Sequence, residues 1–465
     1  MAFTSYDVLL FFLIVFILYW GVRERRWQNL ILLAASYYFY GSVQVWVALM
    51  LGLSTTADFF LARGMESLPN RKRLFITLSL VVNLGVLAFF KYFDFFSGSV
   101  AAFLSGVGFG GNTLLLKIAL PAGLSFFTLK KLGYMIDVSR RTLKPTHAFV
   151  DFALYVSFFP QLIAGPIERP QKLLPQIESQ RPWKAEFFYQ AWPLLVMGFF
   201  KKLVIANSAQ VLVNRVFGFS EPSGFLLLSG ALGYTLQILA DFSAYTDLSR
   251  GVSFLLGFNT SENFRQPYLS LTPTDFWNRW HITLSTWLRD YVFFPVRRAV
   301  LRYKLNENLA MSIPPLVTMF VSGLWHGAGL TFVVWGLYYG LLIAAYQLAG
   351  IRGDWKPNSR FKSFFAWLLM FSFIVFGWAI FRAPSMSWLT HVLFASPFVP
   401  SHNEFVLALI TITLTVAYSL PLLLNHLLDR YADQSWWQAA FYAVAVALIV
   451  VYINSASSDF IYFQF

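Results

Sequence analysis

The sequence contains no cysteine and little charge, and each absence excludes a class of protein. Without cysteine the chain has no disulfide, no thiolate nucleophile, no cysteine-ligated metal site and no S-acylated intermediate. Only 12% of the 465 residues are charged, whereas 57% are hydrophobic. Soluble globular proteins carry roughly 25% charged residues, and several apolar segments here reach the ~20 residues that a membrane-spanning helix needs. These features predict an all-α integral membrane protein.

Hydropathy predicts about 10–12 transmembrane helices in a single polytopic domain over residues 1–465. The first apolar stretch has no basic region before it, which indicates a retained helix and not a cleaved secretion signal. The glycine-rich stretch 106–111 lacks the Gly-Lys-Ser/Thr ending of a nucleotide loop and is interpreted as a turn. The predicted helices cover residues 7–22, 28–41, 44–62, 74–96, 114–129, 150–164, 187–206, 224–240, 311–324, 330–349, 363–381, 404–425 and 436–453.

Residues 241–310 interrupt the apolar pattern with acids, bases and many aromatic side chains. Irregular backbone is tolerated at membrane depth only where protein or a watery cavity surrounds it. We therefore expect re-entrant or interfacial helices around a central chamber, with residues 241–329 as a polar catalytic core. The candidate substrate-binding or chamber-lining residues are Trp280, Trp325, Asp241, Asp247, Asn263, Arg279, Arg289 and Asp290.

The charged residues of the chain also have structural interpretations. The formal net charge is +13, and basic clusters at 23–26 and 71–73 predict cytoplasmic loops, which places the N-terminus outside. An anionic donor or acceptor is a second explanation for part of this charge. Lys201 and Lys202 are expected to reach a membrane surface. We expect Asp241 and Asp247 to pair with Arg250 or Arg279, because a desolvated carboxylate without a partner would protonate.

Two histidines in the middle of the chain stand next to tryptophans, in Trp280-His281 and in Trp325-His326-Gly327. An imidazole at membrane depth is costly, so its presence is a hypothesis about function. A neutral imidazole accepts a proton from an alcohol near pH 7. The tryptophans would exclude water, which matters when the substrate is a hydrolysable activated acyl group. These residues suit acyl transfer to a hydroxyl, and the two histidines fall short of a metal ligand set.

The two histidine motifs carry a family resemblance. Phe276-Trp-Asn-Arg-Trp-His-Ile-Thr-Leu-Ser-Thr-Trp-Leu-Arg-Asp-Tyr291 and Gly323-Leu-Trp-His-Gly-Ala-Gly329 resemble motifs of the membrane-bound O-acyltransferase family, in a bacterial branch that includes the alginate O-acetylation membrane protein. Phe158-Phe-Pro-Gln-Leu-Ile-Ala-Gly-Pro-Ile167 and Asp241-Phe-Ser-Ala-Tyr-Thr-Asp247 extend the similarity. The chain departs from the family pattern at Ala244, where glycine is usual.

The resemblance implies a site and a set of partners. His326 would act as the catalytic base, and His281 would assist it from the same chamber. An acyl thioester, either acetyl-CoA or an acyl carrier, would arrive from the cytoplasm as a substrate, with no cofactor bound permanently. An extracytoplasmic acyltransferase partner would complete transfer to a polysaccharide, at the inner membrane of a bacterium. Membrane lipid is the other expected partner, and nucleic acid is not expected.

Other functions stay open at this point. Within the enzyme class, D-alanyl or longer-chain transfer to a teichoic acid or another envelope acceptor competes with acetyl transfer. A secondary transporter would also hold charges at mid-membrane, but it would usually show repeated halves with broken helices, whereas one polar block is present here. A scaffold for polysaccharide export is a further alternative, and the two intact histidines argue against it.

Overall fold

The computed structural model describes residues 5–42, 44–106, 121–304, 306–431, 435–453 and 460. Regular structure in these ranges is helical, and pairing of extended backbone is confined to one isolated antiparallel bridge between Phe264 and Trp280. The predicted all-α class is therefore confirmed. Residues 107–111 of the predicted turn and 114–120 of the predicted helix 114–129 lie outside the described residues. Gly106 ends the helix Lys72–Gly106, and the next helix begins at Leu124.

Eight of the described helices are long and apolar enough to cross a membrane. Two shorter apolar helices, Tyr6–Gly21 and Trp436–Tyr452, bring the set to the lower end of the predicted range. The chain is a multi-pass membrane protein. The eight candidate spans are Val45–Ser67, Pro69–Phe93, Ala185–Phe217, Gly224–Leu255, Glu307–His326, Leu330–Leu348, Arg360–Arg382 and His402–Leu428.

The chain divides into two compact units. The N-terminal unit comprises residues 1–191 and 249–261, and the C-terminal unit comprises residues 192–248 and 262–465. The prediction of a single domain stays a prediction. The first eight helices, all in the N-terminal unit, are α1 (Tyr6–Gly21), α2 (Arg25–Gly41), α3 (Val45–Ser67), α4 (Lys72–Gly106), α5 (Leu124–Ser139), α6 (Phe149–Ser157), α7 (Phe159–Leu162) and α8 (Pro170–Glu178).

A buried ion pair holds helices of the N-terminal unit together. The Nζ atom of Lys131 on α5 lies 3.6 Å from a carboxylate oxygen of Asp58 on α3, and both side chains are almost fully buried. Ser79 and Asn83 on α4 also donate hydrogen bonds to Asp58. A buried charge is tolerated when a counter-charge and hydrogen bonds surround it, so this cluster fixes three helices relative to one another.

Twelve further helices complete the described chain. Two segments of π-helix interrupt them, at Phe200–Ala206 and Arg289–Phe293. The α-helices are α9 (Ala185–Phe199), α10 (Asn207–Phe217), α11 (Gly224–Leu255), α12 (Pro273–Arg279), α13 (Ile282–Leu288), α14 (Phe294–Arg302), α15 (Glu307–His326), α16 (Leu330–Leu348), α17 (Arg360–Arg382), α18 (Met386–Phe394), α19 (His402–Tyr431) and α20 (Ser435–Tyr452).

The polar segment that starts at residue 241 has two parts in the structure. Its first part continues α11 to Leu255, well beyond the predicted helix end at residue 240, so Asp241 and Asp247 lie inside a long helix. Its later part contains α12, α13 and α14. Thr272 caps the start of α12 by accepting a hydrogen bond from the Asp275 amide at 3.1 Å, as N-cap residues do. The amphipathic α14 suits the predicted interfacial element, and re-entry into the membrane stays a prediction.

Helices α15 and α16 form a tight hairpin, and His326 lies at its turn as the last residue of α15. Gly323 and Gly336 lie where the two backbones meet: a β-carbon at Gly323 would clash with the Phe332 carbonyl oxygen, and one at Gly336 with that of Met319. Small residues allow helices in membranes to approach this closely. The hairpin therefore places the C-terminal end of α15 by direct backbone contact.

Candidate active site

His326 is the last residue of α15 and is buried in a wall of aromatic rings. Its ring centroid lies 4.8 Å from that of Trp325, 5.0 Å from that of Trp335 and 5.3 Å from that of Phe381, and each pair is edge-to-face. Trp335 comes from α16 and Phe381 from α17, so three helices enclose the imidazole. An enclosure of this kind keeps bulk water away from the ring, as the sequence motif predicts.

His281 lies in the short connection between α12 and α13, with an unusual backbone conformation. Its φ angle is +43°, in the left-handed region, which costs energy for a residue other than glycine and persists only where the surroundings enforce it. Asn263 supplies that enforcement. Its backbone oxygen accepts from the Ile282 amide at 3.0 Å, and its side-chain oxygen accepts from the amide and hydroxyl of Thr283 at 3.1 and 2.7 Å.

The ring of His281 is 1% exposed and packs against apolar side chains. Phe242 of α11 contacts it edge-on, with ring centroids 4.6 Å apart. His281 lies outside the eight candidate membrane spans. Burial lowers the pKa of its imidazole to about 3, because the apolar surroundings disfavour the charged form. The imidazole of His281 is therefore neutral at physiological pH.

Trp325 connects the two histidines, which are far apart in the sequence. Its ring centroid lies 4.8 Å from that of His326 and 6.0 Å from that of His281. Trp280 packs in the same region: its ring centroid lies 4.8 Å from that of Trp378, which in turn stacks on Trp335. The structure thus brings together the two predicted catalytic histidines and both of their tryptophan neighbours in one aromatic cluster.

A cavity of about 330 Å³ opens beside this cluster. Helices α12, α13, α15 and α16 line it, and Ser322 in its wall lies one helical turn before His326 on α15. Arg289, a predicted chamber residue, also lies in the wall. The other polar residues of the lining are Thr274, Asn278, Ser285, Thr286, Thr318 and Gln347. A pocket of this size that combines apolar and polar walls suits a small-molecule substrate.

Two predicted pairings are wrong. Asp241 bonds to Lys202 and Asp247 to Lys201, each with an Nζ-to-oxygen distance of 2.7 Å, and not to Arg250 or Arg279. The lysines therefore do not reach out to a membrane surface. They lie in the π-helical segment Phe200–Ala206, a rare turn often found at functional sites, which directs both ammonium groups to α11. Two adjacent lysines inside an apolar helix were a sequence signal for buried partners, but not for which carboxylates they bind.

The remaining predicted residues lie in more exposed ion pairs. Arg279 bonds to Asp275 at 2.8 Å, and Arg289 bonds to its neighbour Asp290 at 3.1 Å. Arg279 and Asp290 are not among the described residues that line the cavity, whereas Arg289 is. A direct role for Arg279 and Asp290 in substrate binding stays a prediction. The role of Asn263 as the anchor of the His281 connection was not foreseen.

A larger groove of about 700 Å³ lies elsewhere in the C-terminal unit. Its described lining comes from α19, α20 and Phe200 and consists entirely of apolar side chains, among them Pro421 and Trp437. A site for acyl transfer needs a group that can move a proton, and this lining has none and shares no helix with either histidine. Neither histidine is itself among the described lining residues of the smaller cavity, but Ser322 in its wall is one turn before His326, and Ile282 directly follows His281. The smaller cavity next to the histidines is therefore the candidate active site.

The family model for membrane-bound O-acyltransferases matches residues 32–381, which include both histidines and the cavity. The chain belongs to this family. Membership confirms the resemblance carried by the histidine motifs. Among similar proteins, the probable alginate O-acetylase AlgI of Pseudomonas aeruginosa is 35% identical over 390 residues, covering 83% of this chain and 73% of that protein.

Two other relatives of this acyltransferase carry different names. The peptidoglycan O-acetyltransferase of Helicobacter pylori is 32% identical over 408 residues, covering 81% of this chain and 75% of that protein. The teichoic acid D-alanyltransferase of Bacillus subtilis is 30% identical over 278 residues, covering 56% of this chain and 68% of that protein. The chain is thus a membrane-bound enzyme of the O-acyltransferase class.

Proposed function

We propose that this acyltransferase moves an acetyl group from a thioester donor on the cytoplasmic side to hydroxyl groups of a bacterial cell-surface polysaccharide. The relatives named as O-acetylating enzymes align over 83% and 81% of the chain, against 56% for the D-alanyltransferase. The observation that carries the proposal is the contact of the Trp325 ring with both imidazoles, in an aromatic cluster beside a cavity of about 330 Å³.

The two histidines take different parts in the proposed reaction. A group with a pKa of about 3 is a weak base at pH 7, so His281 is poorly suited to accept the proton of an alcohol. That task falls to His326, whose imidazole takes the proton of the acceptor hydroxyl and returns it to the leaving sulfur. His281 then orients the reacting groups through its neutral ring, next to Trp325.

The cavity supports a small acyl group and a polar carrier arm. Its volume of about 330 Å³ is at the small end for ligand pockets. The amide side chains of Asn278 and Gln347 in its wall could bind the amides of a pantetheine arm, whether in acetyl-CoA or on an acyl carrier. The basic clusters at 23–26 and 71–73 favour entry of this donor from the cytoplasm, with the N-terminus outside. An extracytoplasmic partner would then complete the transfer at the inner membrane.

D-alanyl transfer is the second candidate, because one relative is named for it. A D-alanyl thioester carries an ammonium group, and binding that group in a partly dry cavity needs a carboxylate. Among the described residues that line the cavity there is no aspartate or glutamate, and Arg289 supplies a positive charge. This lining favours the uncharged acetyl group.

The test is the ester-linked acyl content of the extracellular glycan, measured by mass spectrometry. Cells would express the wild type, His326→Ala or His391→Ala at matched membrane levels. His391 is a matched control because it is a half-exposed histidine of the C-terminal unit that faces Glu221. We expect acetyl esters with the wild type and His391→Ala and none with His326→Ala. Equal ester content in all three would overturn the proposal, and D-alanyl esters would replace the acetyl assignment.

A further inference from the structure

Acyl transfer from a thioester passes through a negatively charged oxygen, and a site that accelerates it needs hydrogen-bond donors for that oxygen. The histidines supply a proton acceptor but do not by themselves supply these donors. Donors that wait for a substrate are recognisable, because they belong to residues that line the site, are buried and have no partner in the protein. Buried polar groups are otherwise almost always hydrogen-bonded.

Two such donors lie in the wall of the cavity beside His326. The hydroxyl of Ser322, a residue that is 1% exposed, has no hydrogen-bond partner among the described residues. The indole nitrogen of Trp277 is likewise buried and makes no hydrogen bond within the described part of the chain. Both residues line the same cavity, Ser322 from α15 and Trp277 from α12.

Three other hydroxyls of the wall differ from that of Ser322, because they bond to backbone. Ser285 donates to the Trp280 carbonyl at 3.0 Å, Thr286 to the Thr283 carbonyl at 3.1 Å and Thr318 to the Pro314 carbonyl at 2.6 Å. A serine or threonine in a helix ordinarily satisfies itself in this way. Ser322 lies in a helix as well but does not, and its hydroxyl is left for a ligand.

Both donors are also close to the proposed base. Ser322 and His326 are one turn apart on α15, so their side chains share a face of the helix. The ring of Trp277 lies 5.6 Å from that of Trp335, and the ring of Trp335 lies 5.0 Å from that of His326. The Trp335 ring thus contacts both Trp277 and His326, and a thioester carbonyl in the cavity would lie next to Ser322, one helical turn from the imidazole.

We infer that the Ser322 hydroxyl and the Trp277 indole N–H bind the carbonyl oxygen of the thioester and stabilise the negative charge that it gains. This inference rests on the proposed function. The acceptor oxygen attacks the carbonyl carbon and forms the C–O bond, while the imidazole of His326 takes its proton. The carbonyl π electrons move to the oxygen held by the two donors. When that pair returns, the C–S bond breaks, and the sulfur leaves with the bonding electrons and takes the proton from the imidazolium.

The experiment measures the initial rate at which ester-linked acetyl appears on the extracellular glycan after induction, at matched membrane levels. Removing one donor of this kind costs roughly 100- to 1,000-fold in rate, so we expect a loss of about 100-fold for Ser322→Ala. Trp277→Phe keeps an aromatic side chain but removes the N–H together with part of the ring system, and we expect a loss of at least roughly 10-fold. Thermal unfolding in detergent shows whether each variant stays folded.

Ser285→Ala and Thr318→Val are the matched controls, because these hydroxyls line the same cavity but already bond to backbone. We expect both to stay within about twofold of the wild-type rate. Wild-type rates for both Ser322→Ala and Trp277→Phe, with His326→Ala inactive, would overturn the inference and leave the proposed function standing. An acyl ester found on Ser322 itself would also overturn it, since Ser322 would then be a nucleophile. Full activity of His326→Ala would instead defeat the proposed function.

Discussion

The two histidines of the site are both buried but are positioned by different means. His326 ends a regular helix, and the glycine contacts of the α15–α16 hairpin place it. His281 sits in a left-handed conformation that Asn263 enforces from a separate segment, and its ring rests on Phe242 of α11. The position of His326 therefore depends on local structure, whereas that of His281 depends on long-range contacts. Substitutions at a distance should disturb His281 first.

The largest expected effect is on the chemical step at His326. Glutamine keeps much of the size of histidine but cannot accept a proton, and general base catalysis is worth roughly 100- to 10,000-fold. We expect His326→Gln to lower the initial rate of ester formation by about 1,000-fold with no loss of thermal stability in detergent. His391→Gln is the control. A His326→Gln enzyme with more than a tenth of the wild-type rate would contradict the assignment of this residue as the base.

The second prediction tests the long-range support of His281. Lys202→Met leaves the buried carboxylate of Asp241 without this counter-charge, next to the Phe242 ring that contacts His281. Breaking a buried pair costs roughly 3 to 5 kcal/mol, so a large drop in thermal stability is expected. The double variant Lys202→Met/Asp241→Leu removes both charges and should recover most of the loss. Lys201→Met, in the more exposed pair, should lose less.

The third prediction concerns the anchor itself. Asn263→Ala removes the oxygen that accepts from the amide and hydroxyl of Thr283, and leaving buried donors unsatisfied costs roughly 1 to 3 kcal/mol. We expect a matching drop in stability and a roughly 10-fold slower rate, as the His281 ring loses its fixed position. Asn263→Asp keeps an acceptor oxygen and should be milder. Equal effects of the two substitutions would argue that the oxygen is not what holds the connection.

The smallest expected effect is a dependence of stability on pH. The pKa of His281 is about 3 when folded and about 6.5 when unfolded, so between these values the unfolded chain binds the extra proton. Stability from this group is present above pH 6.5 and is lost as the pH falls below it. Between pH 7.5 and 5.5 the wild type should lose about 1 kcal/mol more than His281→Asn, by thermal unfolding. Asparagine is the matched substitution because it tolerates the left-handed conformation.

Much of the fold and the pair of histidines follows from the sequence. Apolar length predicts the spanning helices, and the cost of an imidazole among apolar residues singles out His281 and His326. The contact of Trp325 with both histidines could not be predicted from the motifs, because residues far apart in the sequence meet only in the folded chain.

The partners of the buried charges could not be predicted in the same way. The π-helical turn that aims Lys201 and Lys202 at α11 leaves no pattern in the sequence, so arginines nearer in sequence were the natural choice. Asn263 escaped notice as an anchor because its hydrogen bonds depend on the antiparallel bridge between Phe264 and Trp280. The orphan hydroxyl of Ser322 also requires the packed structure, since serine in a helix normally bonds to its own backbone.

The backbone contact between α15 and α16 has an evolutionary consequence. No side chain separates the two backbones at Gly323 and Gly336, and a larger residue at either position would clash with the opposite helix, so these contacts and not the surrounding side chains set the spacing of the hairpin. The wall of the cavity on α12 and α13 consists of ordinary side chains. Substitutions in that wall, Trp277 apart, can therefore change the shape of the cavity while the proposed proton acceptor stays in the same place.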